Sequence, residues 1–281
     1  MAIGIITDST SALTMEQAEK LGIEVVPLYI QSGGEYRKAD SVKIDDYYNE
    51  LDAPGTLPTT SQPSPEDFLK VYKKVQDQYE ALVVVTISSK LSGTFDSANL
   101  AAKMVQVPVK VVDSKLTNYG LGFLAENLVQ LSKKGTKLEA LAEYAEKFYK
   151  SLRIVFSVDT LDHLYRGGRI GKAKALMGGL LNMKPIISLE EGELKPLRNV
   201  RGRKKVLDEL LSASVTPMVG KKLAKAAVIA CRRPDDIKKM SAMIRERFTD
   251  AKVIDDRIEP VIATHLGTTG FGVITEWADK K

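Results

Sequence analysis

The chain has 281 residues, 44% hydrophobic and 27% charged, with 41 lysines and arginines against 36 acids and a formal net charge of +5. This is the balance of a globular protein, with enough chain for two ordinary domains or one large one. The charge is mild, 6% of residues are aromatic and no nucleic-acid-reading motif is present, so nucleic acid is set aside as a partner, while a basic face still suits an acidic partner or transient contact with an anionic membrane surface.

A lone cysteine, Cys231, excludes an internal disulfide and fits a reducing cytoplasm. The first residues run directly into a strand pattern without the basic, apolar and small-residue order of a signal peptide. No apolar run reaches membrane-spanning length. The expected location is therefore cytoplasmic, and a lipid would have to be handled by a soluble carrier.

In chain order, Ile3-Gly4-Ile5-Ile6-Thr7 reads as a strand releasing Asp8-Ser9-Thr10-Ser11. Thr14-Met15-Glu16-Gln17 has capping-box spacing and opens a short helix. Ile23 to Ile30 reads as one strand, Asp45 to Leu51 as a helix, and Pro54 to Pro65 as a loop rich in Pro and Thr. Ser64-Pro65-Glu66-Asp67 places a cap, a first-turn proline and two acids at a helix start, and Phe68, Leu69, Tyr72 and Val75 give that helix one apolar face. Ala81 to Ile87 is an apolar, β-branched strand ending in Ser88-Ser89-Lys90-Leu91-Ser92-Gly93-Thr94, from which a helix runs to Met104. Val109 to Val112 ends in Asp113-Ser114. Strands alternating with helices predict a parallel sheet covered on both faces.

From Leu152 the pattern changes. A strand at Arg153 to Val158 precedes short helices around Leu161 and Ala173 to Leu181. Glu190-Glu191-Gly192 signals a hairpin between Pro185–Leu189 and Glu193–Leu197. A helix near Lys204 to Ser212, a strand at Ala226 to Cys231, a helix at Asp235 to Phe248, a strand at Lys252 to Asp255 and a Gly-rich, strand-like end from Val261 to Trp277 complete the chain. The expected architecture is an α/β amino-terminal domain with a parallel sheet, residues 1–151, and an α+β carboxyl-terminal domain with a mixed or antiparallel sheet, residues 152–281.

Three strands thus release Asp, Ser or Thr at their carboxyl ends, the edge at which α/β sheets bind ligands. Ser88 to Thr94 is either an anion site of neutral donors or a Ser-rich turn with a helix cap. Asp8 and Asp113 fit capping better than metal binding. Thr59-Thr60-Ser61-Gln62-Pro63-Ser64 is a donor-rich loop anchored to a helix start, read equally well as a turn and cap. Arg166-Gly167-Gly168-Arg169-Ile170-Gly171-Lys172 fails the phosphate-loop spacing, since Arg166 and Ala173 stand where glycine and a hydroxyl residue belong. It is a glycine turn, or an arginine pair for a carboxylate or phosphate. The two histidines, His163 and His265, cannot alone build a usual zinc site. His163 reads as structural. His265 precedes Leu266-Gly267-Thr268-Thr269-Gly270-Phe271-Gly272, where glycines admit close backbone approach; it suits either an anion contact or a structural hydrogen bond.

Taken in order, Thr7-Asp8-Ser9-Thr10, Thr60-Ser61-Gln62-Pro63, Ser88 to Thr94, Gly167-Gly168-Arg169-Ile170, Arg201-Gly202-Arg203 and His265-Leu266-Gly267 resemble the DegV family of bacterial fatty-acid-binding proteins. The resemblance covers essentially the whole chain. It implies two domains with a fatty acid between them, its acyl chain in an enclosed apolar tunnel. It also implies a bacterial, Gram-positive source and a partnership with a separate ATP-dependent fatty acid kinase that makes acyl phosphate for phospholipid synthesis. By that resemblance Thr60 and Ser92 bind the carboxylate with His265 beside it, Ser61 and Ser9 are supporting donors, and Arg169 and Arg201 serve phosphate transfer or kinase docking. No cofactor or metal is expected. Two rivals stand beside this carrier reading: an acyl- or phosphoryl-transferring enzyme using Ser92 and His265, and a lipid-sensing regulatory module.

Overall fold

The computed structural model describes residues 3–55, 57–178 and 183–280. The chain divides into two compact units, Met1–Lys43 with Thr56–Tyr149 and Ile44–Gly55 with Lys150–Lys281.

The first unit contains β1 (Ile3–Asp8), α1 (Met15–Leu21), β2 (Ile23–Val26), β3 (Tyr29–Ser32) and β4 (Glu35–Lys38). The chain then forms α2 (Ile44–Asp52), which belongs to the second unit. It returns through β5 (Thr59–Ser61), α3 (Pro65–Val75), β6 (Ala81–Thr86), α4 (Thr94–Ala102), β7 (Val109–Asp113), α5 (Tyr119–Lys133) and α6 (Leu138–Phe148). The main sheet runs β2-β1-β6-β7 and is parallel throughout, as the alternation of elements predicts. Every residue of β6 is buried, because side chains alternate between two covered faces. Ile6, Leu82 and Val84 pack with Phe68, Tyr72 and Ala98 of α3 and α4; the intervening positions face the other side, where α5 and α6 lie. Both predicted helix starts are present. Thr14 and Gln17 form a reciprocal capping box, and Ser64 and Asp67 form a second one around Pro65.

Two expectations are corrected here. Ile23 to Ile30 is not one strand: it breaks at Pro27 and Leu28 into β2 and β3, which lie in different sheets. Proline has no N–H to continue a ladder, and the Leu28 N–H donates to Ser9 Oγ at 2.9 Å. The loop from 54 to 65 contains β5, which completes a small antiparallel sheet in the order β4-β3-β5; its residue 56 lies outside the described residues.

The second unit continues with β8 (Leu152–Ser157), α7 (Asp162–Arg166), β9 (Met183–Glu190), β10 (Glu193–Arg201), α8 (Arg203–Val215), β11 (Lys221–Ala230), α9 (Pro234–Arg247), β12 (Lys252–Arg257), α10 (Pro260–Leu266) and β13 (Phe271–Asp279). Its sheet runs β10-β9-β8-β13-β11-β12, antiparallel except for β11 with β12, and so is mixed as expected. Glu191 and Gly192 both take positive φ, 50° and 81°, the backbone that a two-residue hairpin turn demands. Residues of α8 and α9, among them Leu210, Met240 and Ile244, pack with Val155, Ile186, Phe271 and Val273 on one face. By strand alternation the opposite face carries Ile154, Phe156, Ile187, Leu189, Ile229 and Ile274, all buried.

Three further corrections belong to this unit. The carboxyl-terminal stretch is not strand-like from Val261: residues 260–266 form α10, started by Pro260 and capped by the Glu259 side chain. The helix expected over Ala173 to Leu181 is a 3-10 turn at Gly171–Leu176, and its last residues, 179–181, lie outside the described residues. A contiguous first domain of residues 1–151 does not hold either, because residues 44–55 join the second unit. Tyr47, Tyr48, Asn49 and Asp52 all bond to residues beyond 230.

Glycine is required where α5 crosses the turn after β1. A Cβ on Gly122 would stand 2.4 Å from the backbone oxygen of Ser11, which cannot move away as a side-chain tip would. Gly122→Ala is therefore expected to lower unfolding free energy in urea by about 1–3 kcal/mol, the usual cost of overpacking; an unchanged midpoint would show that this crossing yields freely.

Candidate functional site

In the first unit the carboxyl ends of β1, β6 and β7 meet. Asp8 is fully buried, and its carboxylate accepts from Thr10 N at 2.9 Å, Thr10 Oγ1 at 2.6 Å and Ile87 N at 2.7 Å. Burial pushes its carboxyl above the ordinary range, and these hydrogen bonds pull it back. Asp113 accepts from Ser89 N, Ser89 Oγ and Lys115 N at 3.1, 2.5 and 3.1 Å. Both aspartates therefore act as caps and ties. No group of three or more His, Cys, Asp or Glu suited to a metal occurs among the described residues.

Beside the exposed Lys90 and Asp96, this edge offers hydroxyl and backbone N–H groups. Ser92 Oγ and Thr94 Oγ1 lie 2.8 Å apart at the start of α4. The cap residue is Gly93 and no side chain caps the helix, so first-turn N–H groups must be met from outside it. Gln62 joins this turn to the Thr60–Pro63 segment. Its Nε2 donates to Gly93 O at 3.1 Å and Ser97 Oγ at 2.9 Å, and a Cβ on Gly93 would stand 2.2 Å from its Oε1. Thr60 and Ser61 lie on β5, half-buried like Ser92. The structure thus joins the segment that carries Thr60 and Ser61 to the turn that carries Ser92, through Gln62. Ser9 Oγ accepts from Leu28 N and braces the break between β2 and β3, with its own proton left to donate. Gln62, inside the Thr60-Ser61-Gln62-Pro63 motif, is the member that the sequence does not single out.

In the second unit α7 and α10 pack through two reciprocal contacts. A Cβ on Gly167 would stand 2.4 Å from His265 Nδ1, and one on Gly267 would stand 2.8 Å from His163 Cδ2. Each histidine lies against the glycine that caps the other helix. His163 Nδ1 is 3.3 Å from Thr264 O, which makes this histidine structural, as read from the sequence. Arg169 Nη1 donates to Gly167 O at 2.6 Å, so Arg169 and His265 share one glycine turn. Burial foremost, then Arg169 and His163, lower the His265 imidazole from 6.5 to about 4, which leaves it neutral at physiological pH. Arg201 is exposed at the end of β10. Its neighbour Arg203 is a structural residue, with Nε 2.5 Å from the buried carboxylate of Asp236. Gly202 between them has φ of 87°, a conformation that favours glycine.

The chain is similar to known proteins along nearly its whole length. A family model described as "Uncharacterised protein, DegV family" matches residues 2–276. A Thermotoga maritima protein named "Fatty acid-binding protein" is 34% identical over 286 aligned positions, which cover 97% of this chain and 98% of that protein. A DegV family protein from Thermus thermophilus, whose structure is described as showing fatty acid binding, superposes with a TM-score of 0.94 at 33% identity over 99% of this chain and 100% of that one. DegV from Bacillus subtilis, described as a fatty acid binding protein, superposes at 0.88 with 31% identity over 99% and 100% of the two chains. No described helix is long and apolar enough to cross a membrane. With its six motifs in order, its parallel and mixed main sheets as expected and this continuous similarity, the chain belongs to the DegV family.

Proposed function

We propose that this protein is a cytoplasmic, non-enzymatic carrier of a long-chain fatty acid. It encloses the acyl chain in an apolar tunnel and presents the carboxylate to a separate fatty acid kinase, whose acyl phosphate feeds phospholipid synthesis. The observation that carries the reading is the cluster of hydroxyl and N–H donors at the start of α4, joined by Gln62 to the segment that carries Thr60 and Ser61. A carboxylate withdrawn from water must be hydrogen-bonded. Hydroxyls and a helix start meet that need without a buried cation, and they accept the larger acyl phosphate without rebuilding an ion pair. The chain supplies the affinity: burying a methylene is worth about 0.8 kcal/mol, so sixteen carbons have roughly 12 kcal/mol to gain before entropy and strain reduce it. The apolar face of β8, β9 and β13 suits that burial. The names and descriptions of the relatives support fatty acid as the ligand; the kinase, a transient membrane contact and the roles of individual residues are part of the proposal.

Delipidated protein should take up one long-chain fatty acid and melt at a higher temperature with it. Ser92→Ala with Thr60→Ala should leave the fold intact and weaken that binding by about 1.5–3 kcal/mol for each charge-assisted hydrogen bond lost. Unchanged affinity in a titration removes these hydroxyls from the head-group site.

Arg201 is exposed and ends a strand, a placement suited to a partner or a phosphate rather than to acyl burial. Arg201→Ala should keep its fatty acid, weighed by native mass spectrometry, while acyl phosphate formation with the cognate kinase slows about ten-fold, equivalent to roughly 1.4 kcal/mol in the transition state. Loss of the lipid at an unchanged rate per loaded molecule would move Arg201 into the binding site.

The neutral state of His265 has a pH signature. Its pKa is lowered on folding from 6.5 to about 4, so between these values the unfolded chain binds the proton and the folded one does not. The stability this contributes is complete above about 6.5 and falls as pH drops toward about 4. Urea unfolding across that window should show a slope that His265→Gln reduces; equal slopes in both proteins would place His265 in a solvated setting.

A further inference from the structure

We propose that α2 is a positioning element for His265, with Tyr47 and Asp52 holding the chain on either side of that histidine. The inference deepens the carrier reading, on which the role of His265 at the head group rests.

α10 has seven residues and ends at Gly267, with φ of 71°. A helix so short has little stability of its own, and His265 sits in its last turn. α2 grips this segment at three points. Tyr48 Oη donates to Ile258 O at 2.5 Å, just before α10 begins. Tyr47 is fully buried, and its Oη lies 2.6 Å from Oγ1 of Thr264, the residue preceding His265. Thr264 Oγ1 already donates its one proton to Pro260 O at 2.8 Å, so Tyr47 is the donor in this pair. Three residues after His265, Thr268 Oγ1 donates to Asp52 Oδ1 at 2.5 Å. Arg232 locks α2 in turn, with Nη2 2.6 Å from Asn49 Oδ1 and Nε 3.3 Å from Asp52 Oδ2.

Phenylalanine would fill the site of Tyr47 equally well as a shape. A buried phenol must meet its hydrogen-bonding need, and here the bond falls on the residue next to His265. On the other side of the same backbone, Thr264 O faces His163 Nδ1, and the His265 ring meets Gly167, whose carbonyl is held by Arg169. Gly167 meets the ring itself, while Tyr47 and His163 hold the preceding residue, Thr264; of these, α2 is the one that sequence order hides, lying more than two hundred residues away.

The test uses Tyr47→Phe, with Thr264→Val and Asp52→Asn as companions in case one variant folds poorly. The chain has two histidines, so imidazole signals are assigned by comparison with His163→Gln. In nuclear magnetic resonance, Tyr47→Phe should raise the His265 titration midpoint above about 4 as the ring loosens from Gly167 toward water, still under the influence of Arg169 and His163. Lipid content by native mass spectrometry should stay at one per protein. Acyl phosphate formation with the cognate kinase should fall about five-fold, as for loss of one ordinary hydrogen bond, and Tyr47→Phe with Thr264→Val should be no worse than either alone. A His265 midpoint unmoved in the folded variants, or fully additive losses, overturns the proposal. Absence of acyl phosphate from the unaltered protein would instead defeat the carrier reading, while the titration would still decide the positioning role.

Discussion

Asp8 shows the constraint under which the first unit is built. A polar group at the end of a buried strand must find its partners inside the protein, because water does not reach it. Asp8 meets this by taking two bonds from Thr10 and one from the backbone of Ile87, and so joins the ends of β1 and β6. Asp113 does the same between the end of β7 and the turn after β6. Once these acids are satisfied from within, hydroxyls and the first turn of α4 are left to face a ligand at this edge, beside the exposed Lys90 and Asp96. The two aspartates are thus spent on holding the sheet's edge together.

Glycine governs the second unit in a comparable way. His163 and His265 can each approach the opposite helix because Gly167 and Gly267 have no Cβ to exclude them. The close fit draws His265 largely out of water and keeps its ring neutral near Arg169. Packing, backbone conformation and protonation state are here one arrangement, and a side chain on either glycine would disturb all three. The proposed brace from α2 adds a fixed direction to a ring that would otherwise depend on a single short helix.

Much of this was legible along the chain. Periodicity identified β1, β6 and β7 because strands buried on both faces read as unbroken apolar runs, and the caps of α1 and α3 were visible because Thr14, Ser64 and Pro65 act over only three or four residues. The Glu190-Glu191-Gly192 turn was equally local. Where reading failed, the deciding partner lay far away or a short signal was masked by its neighbours. Pro27 splits an apolar run whose two halves join different sheets. Val261 to Leu266 is β-branched and apolar enough to pass for strand, yet Pro260 and the Glu259 carboxylate start a helix there. The candidate site was legible as a set of donors, but Gln62 could be recognised as the tie between the Thr60 segment and the Ser92 turn only once Gly93 stood under it.

By itself the sequence determined the class of each unit, the parallel nature of the first sheet and the ordered motifs that mark the family, since these arise from local pattern and from side-chain chemistry at short spacing. Tertiary structure alone decided that α2 belongs with β8 to β13 and that each histidine lies against the other helix's glycine. It alone separated Arg203, tied to the buried Asp236, from exposed Arg201. The physical reason is that a hydrogen bond such as Tyr47 to Thr264, 217 residues apart, depends on the spatial approach of two segments, and no periodicity along the chain encodes that approach.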